Sequence, residues 1–388
     1  MTPRDHPVRP GSTASERTRL LGGLTPARFL RKHWHRHPHL IREALQGFDG
    51  FLDRARMFEL ACRDDVESRL VIRDGRQWTI EYGPFRRRDL ARLPARNWTL
   101  LVQGVDLHLD DGARLLSRFD FVPRARLDDL MVSYAAPGGG VGPHFDSYDV
   151  FLLQGPGRRR WRISAQTDLD LRPNLPLRIL RRFRAEDTFV LGPGDMLYLP
   201  PHFAHEGTAV DECLTYSIGF RAPSHNELAQ EFLHDLADGL ELPGRYADPG
   251  LTPSRHPGRL PSRMVDAAEE QLRRVRWQRR ALESFLGRYL SEPKREVVFE
   301  PPAACPSAAG IRKALSHGSV RLHRKSRLLY CAGAAFMNGE IYRFPRGVPS
   351  WLVALADRGE VLRPDLAPAG VELLREWVGN GFVEIVTD

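Results

Sequence analysis

Short apolar runs separated by Gly and Pro turns fill the segment from Phe119 to Phe220, and they recur at intervals of about ten residues. The runs are Asp129 to Ala135, His144 to Leu153, Arg159 to Ser164, Thr188 to Val190, Met196 to Leu199 and Cys213 to Phe220. Strands this short and this evenly spaced are typical of closed or doubled antiparallel sheets. The segment is therefore predicted to form a small β-barrel or a double-sheet jelly roll.

Helical patterns flank the strand-rich segment on both sides. Upstream, Thr25 is suited to cap a helix that has Pro26 at its first position, and a second helix is expected from Phe51 to Cys62. Downstream, apolar residues recur at helical spacing from Glu227 to Leu240 and from Arg263 to Leu290. We expect a helical region to follow the sheets.

A Pro-rich linker from Ser291 to Ala308 precedes a compact mixed segment in which short helices flank a hairpin with an Asn338-Gly339 turn. This order suggests a winged-helix-like domain. The predicted fold class is thus α+β, in four parts. These parts are a flexible tail at 1–20, a jelly-roll domain at 21–222, a helical region at 223–292 and the winged-helix-like domain at 293–388.

The composition excludes several classes of protein. No run of about 18 apolar residues occurs, so no segment is suited to span a bilayer. The N-terminal stretch lacks the apolar centre of a signal peptide, and the four cysteines form no CxxC pair that would indicate a disulfide framework or a zinc site. A cytoplasmic protein is the expectation.

One Gly-rich segment, Gly138-Gly139-Gly140-Val141-Gly142-Pro143-His144-Phe145-Asp146, ends in a possible pair of metal ligands. In an extended strand, residues two apart point to the same face, so His144 and Asp146 would present an imidazole and a carboxylate to one point. Two such groups are two thirds of the 2-His-1-carboxylate triad that binds non-haem Fe(II) and leaves coordination positions open. Surface residues without a metal are the alternative.

Two histidines compete for the third position of this triad. Both lie in Tyr198-Leu199-Pro200-Pro201-His202-Phe203-Ala204-His205, which follows a tight Gly-Pro-Gly-Asp turn. His205 is the favoured ligand because it opens a new strand after the Pro-Pro turn, whereas His202 lies within the turn.

Arg159 is expected on the apolar face of its strand. By strand alternation it shares a face with Trp161 and Ile163, and a buried guanidinium must be paired to be tolerated. A guanidinium binds a carboxylate through two parallel hydrogen bonds, so Arg159 is suited to hold the distal carboxylate of a dicarboxylate cosubstrate. An internal ion pair with Asp or Glu is the alternative.

The segments GGGVGPHFDSYDVFLLQGPGRRRWRIS, PGDMLYLPPHFAHEGTA and YSIGFRAPS resemble the JmjC/cupin family of Fe(II)- and 2-oxoglutarate-dependent oxygenases. Within it, they are similar to bacterial ribosomal oxygenases that hydroxylate an arginine of large-subunit ribosomal protein L sixteen. The order of jelly roll, helical region and winged-helix domain matches as well. The resemblance implies a double-stranded β-helix, a homodimer formed through the helical region, and arginine 3-hydroxylation with Fe(II), 2-oxoglutarate and O2.

The resemblance also implies roles for individual residues. His144, Asp146 and His205 would bind iron, and Arg159 would anchor 2-oxoglutarate. Further residues expected to line the cosubstrate pocket are Ser133 and, as a weaker candidate, Ser217, whose strand parity opposes that of Leu214, Tyr216 and Ile218. His202 departs from the family, which commonly has a small residue there.

The formal net charge of +8 leaves a second hypothesis open. A non-enzymatic cupin with a winged helix could act as a nucleic-acid-binding regulator, and the run from Gly155 to Arg184 holds nine Arg against Asp168 and Asp170. Arginines beside the mouth of an oxygenase site could instead help to dock a ribosomal component. The clustered histidines His33, His35, His37 and His39 are not expected to bind metal, because Pro38 interrupts them and no carboxylate or Cys lies among them.

Overall fold

A computed structural model describes residues 14–75 and 77–387 of the 388-residue chain. The helices are α1 (Ala14–Leu20), α2 (Pro26–Lys32), α3 (Arg54–Ala61), α4 (Arg87–Leu90), α5 (Val105–His108), α6 (Asp110–Leu116), α7 (His225–Asp238), α8 (Ser262–Leu272), α9 (Arg279–Ser291), α10 (Ala308–Leu315), α11 (Ser350–Arg358) and α12 (Pro368–Gly379). Two short 3-10 helices are Ser117–Phe119 and Arg124–Arg126.

The strands follow the same chain order. They are β1 (His39–Ile41), β2 (Ser68–Asp74), β3 (Gln77–Tyr82), β4 (Trp98–Val102), β5 (Leu127–Ala135), β6 (Val150–Gln154), β7 (Arg159–Ser164), β8 (Asp187–Leu191), β9 (Met196–Leu199), β10 (Ala204–Ala209), β11 (Cys213–Phe220), β12 (Ser319–Leu322), β13 (Leu328–Cys331), β14 (Ala334–Met337), β15 (Glu340–Arg343), β16 (Glu360–Leu362) and β17 (Val383–Val386). None of the described helices has the length and apolar character needed to cross a membrane.

The chain forms two compact units. The first contains the described residues up to Ala222, Pro293–Leu329 and the residues from Pro349 onward; the second contains Pro223–Glu292 and Tyr330–Val348. The units divide after Ala222 and after Glu292. The four-part division predicted from the sequence stays a prediction, because the second unit combines the helices with Tyr330–Val348 of the C-terminal segment.

The first unit is built on a double sheet, as the strand spacing predicts. An eight-stranded antiparallel sheet has the order β1-β9-β6-β11-β5-β4-β2-β3, and a three-stranded sheet has the order β10-β7-β8. Alternation separates the two faces of β11: Tyr216 and Ile218 lie in the large helix-covered core, whereas Thr215 and Ser217 have the opposite parity. A smaller core that includes Leu152 and Trp161 fills the space between the sheets.

Three predictions about local structure are wrong. The strand expected from His144 begins only at Val150, because the chain first bends at Gly142 and forms a single bridge between His144 and His205. The stretch of helical spacing from Arg263 to Leu290 does not form one continuous helix, because it is interrupted between α8 and α9.

The third error concerns the flexible tail predicted at 1–20. Residues 14–20 form α1, which is held in place because Leu20 and the following Leu21 are buried in the large core. Residues 1–13 lie outside the described part of the chain.

The second unit contains helices α7 and α9 together with the hairpin β14–β15. Ser224 and Glu227 form a reciprocal capping box at the start of α7. The hairpin turns at Asn338 and Gly339, both with positive φ, as the sequence predicts for an Asn-Gly turn. Helix α9 approaches the hairpin at Gly287, where an added Cβ would lie 2.3 Å from the Phe336 ring.

Gly287→Ala is expected to lower the free energy of unfolding by about 1–3 kcal/mol, because the methyl group would overpack the contact with Phe336. This cost exceeds the gain of up to about 1 kcal/mol that Ala brings to a helix interior. Urea denaturation measures the difference. Gly239→Ala is the control, since a Cβ there meets nothing within 4 Å. Equal denaturation midpoints for the two variants would contradict the prediction.

Candidate active site

Three of the predicted site residues lie together at one end of the double sheet. His144 and Asp146 come from the loop before β6, and His205 is the second residue of β10. One ligand atom from each lies within 4.8 Å of the others, and His205 Nε2 is 3.6 Å from Asp146 Oδ2. Within the described residues, this is the one grouping of three His, Cys, Asp or Glu side chains at such distances, and none of the clustered histidines near residue 33 takes part.

Backbone contacts fix the ligand loop against β10. The His144 N–H donates to the His205 carbonyl at 2.9 Å, and the His205 N–H donates to the His144 carbonyl at 2.8 Å. The loop can approach this closely because Gly140 has no side chain: a Cβ there would lie 2.4 Å from the Gly207 carbonyl oxygen. The glycine run therefore serves to bring the backbones together.

Both imidazole rings are oriented by the same kind of hydrogen bond. His144 Nδ1 lies 2.9 Å from the Gly142 carbonyl oxygen, and His205 Nδ1 lies 2.9 Å from the Phe203 carbonyl oxygen. A carbonyl only accepts, so each Nδ1 carries a proton, and Nε2 is the ring atom that remains to bind a metal. Burial, and next the neighbouring His144, lower the pKa of His205 to about 4.

His202 does not join this group. It is exposed and has a φ of 61° in the turn before β10. Its backbone N–H donates to the Asp146 carbonyl at 2.7 Å, so the backbone of His202, and not its imidazole, supports the ligand loop. Two imidazole nitrogens and one carboxylate oxygen remain as donors, a set that fits Fe(II) with open coordination positions.

Arg159 lies inside the double sheet, as strand alternation predicts. It is only 4% exposed, and it donates to Ser133 Oγ at 2.9 Å and to Thr215 Oγ1 at 3.1 Å. No Asp or Glu among the described residues lies within 4.0 Å of it, so an internal ion pair has no partner there. Its Nε is buried without a hydrogen-bond partner, and burial lowers the pKa of the guanidinium.

A buried cation without an acidic partner fits a site for an anionic ligand, because such a charge is costly until a carboxylate neutralises it. Trp161 lies between Arg159 and the histidines. Its ring centroid is 6.0 Å from that of His205, and the Arg159 Cζ is 5.2 Å from the Trp161 centroid. Trp161 thus neighbours both the guanidinium and one of the candidate metal ligands.

The two predicted serines have different surroundings. Ser133 contacts Arg159 directly, whereas Ser217 is buried one step farther along β11, opposite Met131. Thr215, which sequence reasoning missed, contacts Arg159 and pairs with Ser133 in the sheet. Strand alternation puts Ser217 on the other face of β11 from Leu214 and Tyr216, and it puts Thr215 on the same face as Ser217. The sequence therefore contained the pattern that could have identified Thr215.

Comparison with known proteins agrees with this geometry. A JmjC domain model matches residues 114–228, and a ROXA-like winged-helix model matches residues 274–384. The ribosomal protein uL16 3-hydroxylase of Escherichia coli is 36% identical over 318 residues, which cover 80% of this chain and 84% of that protein. The chain belongs to the JmjC ribosomal oxygenases.

The chain is also similar to other ribosomal oxygenases. A probable ribosomal oxygenase of Haemophilus influenzae is 38% identical over 232 residues, covering 59% of this chain and 55% of the relative. The solved structure of Escherichia coli YcfD in complex with cobalt and 2-oxoglutarate has a TM-score of 0.80 and 32% identity, covering 93% of this chain and 98% of that one.

This ribosomal oxygenase is therefore a 2-oxoglutarate-dependent dioxygenase that uses Fe(II), 2-oxoglutarate and O2. The JmjC/cupin fold and the winged-helix domain predicted from the sequence are confirmed. The hypothesis of a non-enzymatic nucleic-acid-binding regulator is not favoured.

Replacing His202 with Asn is expected to change cobalt affinity and succinate formation by no more than about twofold, because the exposed imidazole lies outside the ligand group and Asn tolerates a positive φ. Cobalt titration and a 2-oxoglutarate turnover assay measure the two quantities. A loss of tenfold or more in cobalt affinity would show that the imidazole of His202 binds the metal.

Proposed function

We propose that this ribosomal oxygenase hydroxylates an arginine side chain of ribosomal protein uL16, the L sixteen protein of the sequence comparison, at carbon 3. The observation that carries the substrate proposal is the 36% identity to the uL16 3-hydroxylase across 84% of that protein. The proposed site of action is the cytoplasm, where ribosomal proteins are made.

In the proposed site, His144, Asp146 and His205 hold Fe(II) through two Nε2 atoms and a carboxylate oxygen. When bound, the iron supplies the chemistry that inserts one oxygen atom of O2 into a substrate C–H bond, while 2-oxoglutarate takes up the other and leaves as succinate and CO2. The hydrogen bonds from Nδ1 to Gly142 and Phe203 keep both rings in the tautomer that a metal requires.

Arg159 is proposed to bind the distal carboxylate of 2-oxoglutarate, with Ser133 and Thr215 holding the guanidinium in place. Ser217 is proposed to line the same pocket from β11. Apolar side chains around the pocket exclude water and strengthen the ion pair between Arg159 and the carboxylate. These contacts position the cosubstrate before the protein substrate arrives.

Mass spectrometry of ribosomal proteins from cells with and without the gene tests the substrate. We expect an arginine of uL16 to carry the mass of one additional oxygen atom only when the gene is present. The purified enzyme should form succinate in step with this modification. Modification of a histidine or of another ribosomal protein, with unmodified uL16, would contradict the substrate while leaving the oxygenase chemistry intact.

We also propose that the helical region at 223–292 forms a homodimer and that the winged-helix-like domain has the bounds 293–388. Large apolar side chains on the helices are solvent-exposed in the single chain: Leu233 (56%), Val265 (49%) and Leu272 (68%). A second copy would cover this surface.

Light scattering is expected to give a dimer mass for the natural chain and for Gln271→Glu, and a monomer mass for Val265→Asp/Leu272→Asp. A monomeric natural chain would refute the homodimer.

A further inference from the structure

The loop between β7 and β8 carries a concentration of positive charge that the oxygenase chemistry does not use. The loop, residues 165–186, contains five arginines, all exposed, against Asp168, Asp170 and Glu186, and its stretch from Leu171 to Ala185 has no Asp or Glu. Four of them have no carboxylate within 4.0 Å among the described residues, whereas Arg181 lies 3.9 Å from Asp170. We call these four the arginine strip: Arg172, Arg178, Arg182 and Arg184.

Two neighbouring arginines outside the loop, Arg158 and Arg162, are neutralised locally. Arg158 Nε lies 2.8 Å from Asp211 Oδ2, and Arg162 pairs with Glu206 on the adjacent strand. The Arg162–Glu206 pair joins β7 to β10, and the Arg158–Asp211 pair joins the residue before β7 to the loop between β10 and β11. The arginine strip differs from Arg158 and Arg162 because none of its four members has a carboxylate within 4.0 Å among the described residues.

The strip is displayed from an ordered backbone. Arg172 N–H donates to the Ile179 carbonyl at 2.8 Å, and Leu171 and Leu180 form a β-bridge. The side chain of Gln166 bonds the backbone of Arg182 and Arg184 at the base of the loop. Binding of a partner to the strip would therefore cost little conformational entropy, because the loop is already ordered.

The same loop is attached to the candidate metal centre. Leu180 N–H donates to the Pro143 carbonyl at 2.8 Å, immediately before His144. The Arg178 guanidinium lies 5.4 Å from the centroid of Phe145, the residue between the first two candidate ligands. Anything bound along the strip consequently lies close to the loop that carries His144 and Asp146.

A ribosomal protein by itself is a poor partner for this surface. Proteins that bind RNA carry excess positive charge, so an arginine-rich loop would repel the substrate protein. Phosphates of the RNA to which that protein binds have the opposite charge, and the planar guanidinium both pairs with phosphate and stacks on bases. The chemistry of the strip thus matches RNA better than it matches the protein alone.

We propose that the arginine strip binds the phosphate backbone of RNA next to the substrate residue, so that the enzyme favours its ribosomal protein substrate in the RNA-bound form. This inference rests on the proposed function for the identity of the substrate. The binding of RNA itself does not depend on that identity and can be measured separately.

The test uses the full chain and the triple variant Arg172→Gln/Arg182→Gln/Arg184→Gln, which leaves Arg178 in place because of its contact with Phe145. The matched control removes the same charge from exposed arginines on and near α4. It is Arg86→Gln/Arg87→Gln/Arg92→Gln. The probe is a short labelled RNA hairpin from large-subunit ribosomal RNA, titrated at several salt concentrations.

We expect the strip variant to bind the hairpin at least tenfold more weakly, and the slope of log affinity against log salt to fall by roughly 2, about 0.7 for each lost phosphate contact. The control should bind as the natural chain does. Equal RNA affinity for the strip variant and the control would overturn the proposal. Binding of polyglutamate as tight as binding of RNA would overturn it too, because the strip would then fit an acidic protein.

Turnover on free and RNA-bound uL16 connects the surface to catalysis. We expect the strip variant to lose about tenfold or more in kcat/KM on RNA-bound uL16 and to act on a free uL16 fragment nearly as the natural chain does. Equal turnover of RNA-bound uL16 by the variant and the natural chain would overturn the role in substrate selection. If the natural chain modifies uL16 in neither form, the substrate proposal fails, while the hairpin titration still decides whether the strip binds RNA.

Discussion

Asp146→Ala is expected to abolish succinate formation and to weaken cobalt binding by more than about 100-fold. Loss of a residue that merely supports a ligand already costs 10- to 100-fold in metal affinity, and Asp146 provides the single anionic donor of the group. His144→Ala should have the same effect on turnover. Cobalt titration followed by visible absorption gives a readout that does not depend on catalysis.

Two controls separate a lost ligand from a damaged fold. Asp168→Ala removes an exposed carboxylate from the neighbouring loop and should leave cobalt affinity unchanged. Far-UV circular dichroism and the melting temperature of the metal-free protein should be similar for Asp146→Ala and the natural chain, because Asp146 is partly exposed and is not part of the core. Normal turnover in both Asp146→Ala and His144→Ala would rule out the proposed triad.

Arg159→Ala is expected to raise the KM for 2-oxoglutarate by about 30-fold or more. Removing one partner of a buried, hydrogen-bonded charge pair costs about 2–5 kcal/mol, and each 1.4 kcal/mol is a factor of about ten. The effect on kcat should be smaller, since Arg159 is not one of the candidate metal ligands. Arg159→Lys keeps the charge without the planar fork, so an intermediate KM is expected.

Arg160→Ala is the matched control for Arg159→Ala. Arg160 is the next residue of β7, on the exposed face of the same strand, and its loss should leave the KM for 2-oxoglutarate unchanged. Thermal unfolding gives an independent readout. Adding 2-oxoglutarate and cobalt should raise the Tm of the natural chain and of Arg160→Ala, and it should raise the Tm of Arg159→Ala much less. An unchanged KM in Arg159→Ala would contradict the proposed anchor.

Sequence reasoning was most successful where short-range alternation decides the outcome. The burial of Arg159 and the exposure of Arg160 follow from the period of two along β7, and His205 was placed correctly at the start of a strand. These features need only the local geometry of one strand.

The contacts between distant segments were not predictable in the same way. His144 and Asp146 meet His205 although they lie in a loop, because the bridge to β10 and the glycine that permits it replace the strand assumed from the sequence. The packing of Gly287 on Phe336 joins segments that the sequence divided between two domains. Neither contact leaves a periodic signal in the chain.

The paired backbone hydrogen bonds between His144 and His205 affect how the enzyme responds to the loss and return of iron in a cell. Because the protein itself already holds two of the three candidate ligands together, little ordering remains for the metal to bring about. We therefore expect iron to leave and return while the sheets stay folded. Iron shortage would then produce a pool of intact, inactive enzyme that regains activity as soon as the metal is supplied.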